Sequence, residues 1–170
     1  MEAANAGILD VGTGDFLFWW IGRILDPADN NLRAIAGKRA SNPFPGWELW
    51  ITPNGPLQMN LYDGTNQDNE QIANAWTTSP LMVVTVVDRN ADSLKLFARQ
   101  DGVNRASDGQ TIAATDCTAA DGTFRVGNQT QSEVRTPASL VSASGIITGT
   151  GARGFNSTNF AALAAAMRMP

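Results

Sequence analysis

A chain of 170 residues with 43% hydrophobic and 16% charged residues can bury one sizeable core, which excludes a disordered protein. Its net charge is −4, Lys38 and Lys95 are its only lysines, and its arginines are scattered, so it lacks the basic stripe of a nucleic-acid surface. Histidine is absent and Cys117 stands alone, which removes Ser-His-Asp and Cys-His nucleophiles, His-ligated zinc and any intrachain disulfide.

Met1 to Ile8 lacks a basic n-region and an apolar h-region, so no secretory signal is expected. The expected product is cytoplasmic, or leaves the cell by another route such as lysis. Asp15-Phe-Leu-Phe-Trp-Trp-Ile-Gly-Arg23 is apolar on both faces, which predicts a central sandwich strand with Trp19 and Trp20 on opposite sides. Its core from Phe16 to Ile21 is too short to span a bilayer. The same aromatic run could form a sugar platform, but six consecutive apolar residues fit a core better.

Ile24 to Asn31, with Asp26-Pro27 and Asp29-Asn30-Asn31, predicts a loop. Leu32 to Gly37 predicts a short strand, and Lys38 to Pro45 a second loop. Gly46 to Gly64 then reads as a hairpin turning at Asn54-Gly55, since both residues tolerate the positive φ of tight turns. Trp47, Leu49 and Ile51 alternate with Glu48, Trp50 and Thr52. Leu57, Met59 and Leu61 alternate with Gln58, Asn60 and Tyr62, which gives one core face and one wetter face.

Thr65 to Gln71 reads as a solvated polar loop, with Ile72 to Trp76 returning to the core. Asp63, Asp68 and Glu70 offer the oxygen ligands that calcium takes, but their spacing does not make a calcium-hand loop. Leu81 to Asp88 is the clearest strand, rich in β-branched residues, and Ser93 to Arg99 pairs with it as a second hairpin. Asp101-Gly102, Asp108-Gly109 and Asp121-Gly122 punctuate shorter segments at Gln110 to Ala114 and Thr123 to Val126. From Gly127 to Gly154, Ser, Thr, Gly and Ala dominate. Asn156 to Met167 predicts a capped helix, with Ser157 or Thr158 at its start and Pro170 beyond. The fold class expected from this pattern is an all-β antiparallel sandwich with a short helix near the C-terminus.

Several of these segments together resemble the laminin-G-like, concanavalin A-like jelly-roll superfamily. They are Asp15-Phe-Leu-Phe18, Gly37-Lys38-Arg39, Gly46-Trp-Glu-Leu49, Asp63-Gly64, Val86-Val-Asp-Arg89 with Leu94-Lys-Leu-Phe97, and Phe124-Arg-Val-Gly127. The likeness covers about Gly7 to Asn128. The chain departs from it at Ser79-Pro80-Leu81, where the pattern has Trp-His, and after Gly127, where the terminal strand that pairs with the first is not recognisable. The expected organisation is a lectin-like jelly roll over residues 1–128 and a Ser/Gly/Ala-rich segment over 129–170 acting between subunits.

The resemblance admits enzymes, lectins and coat modules. Its hydrolases carry a Glu-x-Asp-x-x-Glu motif, and none of Glu2, Glu48, Glu70 or Glu133 begins one, so no catalytic residue is assigned. Glu48 reads as an exposed strand carboxylate. The preferred expectation is a non-enzymatic structural protein, a phage capsid decoration or other virion-surface subunit, with a homo-oligomer and a capsid protein as partners. The alternative is a carbohydrate-binding module, contacting polysaccharide through Trp50, Tyr62, Asp63, Asn66, Asp68 and Glu70. No cofactor, metal, nucleic acid or membrane partner is expected.

Overall fold

The computed structural model describes residues 2–3, 10–25, 33–40, 45–52, 55–112, 115–118, 122–126 and 139–169. The predicted loop at 26–31, residues 41–44 of that at 38–45, Asn54 and Asp121 lie outside these residues. The strands are β1 (Glu2–Ala3), β2 (Phe16–Ile24), β3 (Arg33–Arg39), β4 (Gly46–Ile51), β5 (Leu57–Tyr62) and β6 (Gln67–Ile72). They continue as β7 (Leu81–Asp88), β8 (Ser93–Gln100), β9 (Val103–Ala106), β10 (Gln110–Thr111), β11 (Thr123–Val126) and β12 (Ser139–Thr148). A 3-10 turn over Gly149–Ala152 and helix α1 (Ser157–Ala166) follow.

Two antiparallel sheets form a jelly-roll sandwich. The front sheet has the order β1-β11-β3-β4-β5-β6, and the back sheet β10-β8-β7-β2-β12 with β9 also on β8. Alternation places Phe16, Phe18 and Trp20 of β2 inward against Trp47, Leu49, Leu57, Met59 and Leu61 of the front sheet. Trp47 is the hub of this core, its ring centroid 5.5 Å from Phe16, 5.3 Å from Phe18 and 5.9 Å from Phe124. Inverting the face, Leu17 of β2 joins Met82, Val84, Val86 and Phe97 in a second buried cluster on the outer side of the back sheet, with Trp19 packed against it. Trp20 is fully buried and Trp19 half-buried on the other side, as expected for a strand covered twice.

The cover is α1. Phe160 stacks on Phe97 at 5.6 Å, and Ala164 joins the same cluster. Asn156 caps the helix one residue earlier than the expected Ser157 or Thr158. Its side chain accepts from the Thr158 and Asn159 amides, and Asn159 returns the bond to the Asn156 amide. No helix among the described residues is long and apolar enough to cross a membrane.

Four expectations change. The polar stretch read as a solvated loop is strand β6, paired along its length with β5. It is an edge strand, where polar and charged side chains guard the open edge, so no apolar alternation announces it. Lys38 and Arg39 end β3 instead of starting a loop; Lys38 turns inward, almost wholly buried, onto Asp10 at 2.5 Å. Glu48 is only 2% exposed. The terminal strand that the sequence hides is β12, paired with β2 from Ser139↔Ile24 to Thr148↔Phe16.

Asp15 ties this last strand to the rest. Its carboxylate accepts from the Arg89 amide (2.6 Å) and from Arg153 Nε (2.5 Å), and its carbonyl accepts from Gly149 N (2.8 Å). Burial raises its pKa, but the Arg153 and Arg89 hydrogen bonds outweigh that and hold the carboxyl below the ordinary carboxylate range.

Candidate outer-face binding site on the front sheet

The back sheet's outer face is covered by α1 where Phe160 and Ala164 pack on it, whereas the front sheet's outer face carries polar and aromatic side chains. Registers place these in three rows, because directly paired residues share a face. One row runs Thr123, Arg39, Gly46, Tyr62, Gln67; the next Arg125, Gly37, Glu48, Asn60, Asn69; the third Ala34, Trp50, Gln58, Gln71. Glu48 and Asn60 at the centre are buried, Trp50, Gln58 and Tyr62 are half-buried, and Gln67, Asn69 and Gln71 on the edge strand are exposed. The face is therefore graded from a fixed centre to an accessible rim.

Two interactions set the centre. Arg39 Nη1 donates to Glu48 Oε2 at 2.6 Å, while its guanidinium carbon lies 5.4 Å from the Tyr62 ring centroid. Gly46 lies between Arg39 and Tyr62 in its row and leaves a dip. Its φ is +139°, and a Cβ there would stand 2.1 Å from the Lys38 carbonyl oxygen, so only glycine fits. Beside this pair, Asn60 Oδ1 accepts from both Gln58 Nε2 and Gln67 Nε2, each at 2.9 Å. Those two donors fix the amide's orientation and leave Asn60 Nδ2 buried without an acceptor. The arrangement offers ordered amide donors and acceptors, a paired guanidinium and carboxylate, and two aromatic rings.

The six residues singled out from the sequence do not converge. Trp50 and Tyr62 share the outer face, but stand two rows apart, four residues along the strand, or about 13 Å. Asp63 and Asn66 form the β5–β6 turn: Asp63 accepts from the Thr65 and Asn66 amides (2.8 and 2.6 Å) and from Asn66 Nδ2 (3.0 Å). The Asn66 hydrogen bonds hold its carboxyl below the ordinary range. Asp68 and Glu70 pair with the core residues Leu61 and Met59, so they turn toward the sandwich rim. Thr115 Oγ1 donates to Asp68 at 2.5 Å, and Glu70 borders a groove of about 600 Å³ with Arg105 and Asp108. No group of three carboxylate, cysteine or histidine side chains that could hold a metal ion occurs among the described residues. Cys117 is core: burial pushes its thiol up to about 11 against the pull of Arg89, which keeps it protonated at neutral pH.

Arg39, Glu48, Gln58, Asn60 and Gln67 are the site residues missed from the sequence. Gln58 and Asn60 were signalled by the wet face of the second hairpin strand. Arg39 appeared only within the Gly37-Lys38-Arg39 segment of the resemblance, and its place on the outer face depends on β3–β4 pairing.

No protein-family model matches the chain, and no curated protein matches it by sequence. Solved structures do. The chain is similar to the CBM40 of Ruminococcus gnavus IT-sialidase bound to α2,6-sialyllactose, at TM-score 0.65 and 16% identity over 92% of this chain and 85% of that one. It is similar to the botulinum neurotoxin serotype D binding domain, at TM-score 0.66 and 16% identity over 97% of this chain and 40% of that one. A leech intramolecular trans-sialidase is also similar, at TM-score 0.60 and 14% identity over 86% of this chain and 22% of that one. At such identities the likeness is one of fold, and the fold is that of a lectin-like jelly roll.

Proposed function

We propose that this chain is a carbohydrate-binding module that takes a glycan on the outer face of the front sheet. The observation that carries the reading is the ordered array of Arg39, Glu48, Gln58, Asn60, Tyr62 and Gln67. Primary amides offer a donor and an acceptor side by side, which matches vicinal sugar hydroxyls, and an aromatic ring packs against the apolar face of a pyranose. Asn60 Nδ2 is itself buried, so the groups a sugar meets are the half-buried Gln58 and Tyr62 and the exposed Gln67, with both glutamine amides held by Asn60 Oδ1. Support of a different kind comes from a fold neighbour whose structure contains sialyllactose. What the array offers is hydrogen-bonding and stacking groups around one carboxylate, Glu48, held by Arg39.

The test is titration of isotope-labelled protein with sialyllactose and with neutral oligosaccharides, following the side-chain amide signals of Gln58, Asn60 and Gln67. Saturable shifts at these amides, lost in Tyr62→Ala, are the expected result. Unmoved amides at millimolar glycan of every type would sink the reading. A capsid-decoration role is the second reading. It is favoured by the nearly uncharged surface of β12 and α1, which suits subunit contact.

A further inference from the structure

We propose that the β12–α1 surface docks a second copy of this chain, the two β12 strands pairing antiparallel about a two-fold axis. The inference is independent of the glycan reading, which concerns the opposite sheet.

The first observation is the state of the sheet edges. β6, the edge of the front sheet, carries Asp68 and Glu70; β9 carries Arg105; β1 is two residues long. Charge and brevity are the usual protections of an open strand edge. β12 has neither. It runs ten residues, Ser-Leu-Val-Ser-Ala-Ser-Gly-Ile-Ile-Thr, with no charge and no proline. Among the described residues, no strand pairs with its outer edge. An edge of this kind presents a row of backbone donors and acceptors that another strand can satisfy.

The second observation is apolar surface at the same place. Between β12 and α1 lies a cleft of about 350 Å³, floored by Leu17 and Trp19 and walled by Ile147, Phe155, Leu163 and Met167. Ile147 is 46% and Met167 38% exposed at its rim, two of only four large apolar side chains so exposed among the described residues. α1 turns Ala161, Ala162, Ala165 and Ala166 to solvent, where short side chains permit close approach.

The third observation selects the occupant. From Ser139 to Met169 the charged residues are Arg153, which Asp15 already pairs with, and the exposed Arg168 past the end of α1. A two-fold axis sets the same patch on both copies, so any charge near the axis would meet its own like. Each copy carries a net charge of −4, and mutual repulsion elsewhere leaves this neutral surface as the region that tolerates its own image. Pairing β12 with its copy makes one continuous back sheet. Both helices then lie on the same outer side, with the two clefts facing each other across the axis.

The experiment is sedimentation equilibrium of the full chain, from low to high micromolar concentration. A monomer–dimer equilibrium is expected. The double variant Ile147→Glu with Met167→Glu should raise the dissociation constant at least about tenfold. Val103→Glu, an equally exposed apolar site on β9, should leave it unchanged, as should Gln58→Ala on the glycan face. Hydrogen exchange on the unmodified chain gives a check that needs no variant: β12 amides should gain protection as concentration rises. A monomer at all concentrations, an open-ended oligomer, a dimer lost with Val103→Glu but kept in the double variant, or concentration-independent β12 exchange would each overturn the proposal.

Discussion

The two outer faces of this sandwich start from the same antiparallel geometry and end with opposite chemistry. On the back sheet, Leu17, Val84 and Phe97 point outward and would be unfavourable in water, but Phe160 and Ala164 of α1 cover them. On the front sheet, Glu48, Gln58, Asn60 and Tyr62 point outward, linked by hydrogen bonds and an ion pair. One face gains its stability by excluding water. The other is ordered by directional contacts that a ligand can exchange for its own. The lesson is that a strand's own pattern does not decide whether its outer face is core or site; the cover, supplied far along the chain, does.

The largest expected effects come from breaking the dry side. Trp20→Ala in the inner core and Phe160→Ala under the helix should each cost about 3–5 kcal/mol, read from chemical denaturation. If Phe160→Ala left the midpoint unchanged, the helix would not be a true cover and the contrast would fail. Gly46→Ala tests the wet side's foundation. Forcing a Cβ against the Lys38 carbonyl should cost about 1–3 kcal/mol and shift Arg39 away from Tyr62, visible as changed Tyr62 ring signals. A stable variant with unaltered ring signals would remove the geometric role given to that glycine.

Acid should act through Asp15. Its folded pKa lies below the unfolded value, so its contribution is present above the unfolded pKa and is lost as pH falls through the folded one. Stability should therefore decline below about pH 4, and Asp15→Asn should flatten that limb while lowering stability at neutral pH. An acid limb unchanged by the substitution would detach Asp15 from it. Smallest in stability is Gln58→Ala, expected within about 0.5 kcal/mol because its amide is only half-buried, yet it should abolish glycan-induced shifts at Asn60. A large loss of stability there would make the front face structural and erase the comparison.

Much of the sandwich was legible because burial writes alternation into strands. β7 was readable end to end from Leu81 to Asp88, since β-branched residues mark a strand buried on both faces. β6 was not, because Gln67 to Gln71 has no apolar residue and its pairing comes from β5. β12 was hidden for a different reason. Its Gly145 lies under Trp19, where a Cβ would come within 2.6 Å of the indole nitrogen, so bulk is supplied by the partner strand and not by β12 itself. The site was half legible. Tyr62 and Trp50 follow from alternation, whereas the Arg39–Glu48–Tyr62 contact needs three strands in register, which no local pattern encodes.

The pairing of β12 with β2 also sets the order in which the protein can be completed. β2 is synthesised well before the strand that covers its edge and the helix that covers Leu17. Until then β2 keeps one edge and one apolar face bare, a state prone to wrong pairing with neighbouring chains. Closing so long a loop makes the final step slow relative to the local hairpins β4–β5 and β7–β8. Nascent chains stalled before Ser139 are therefore the species most exposed to aggregation and to chaperone capture.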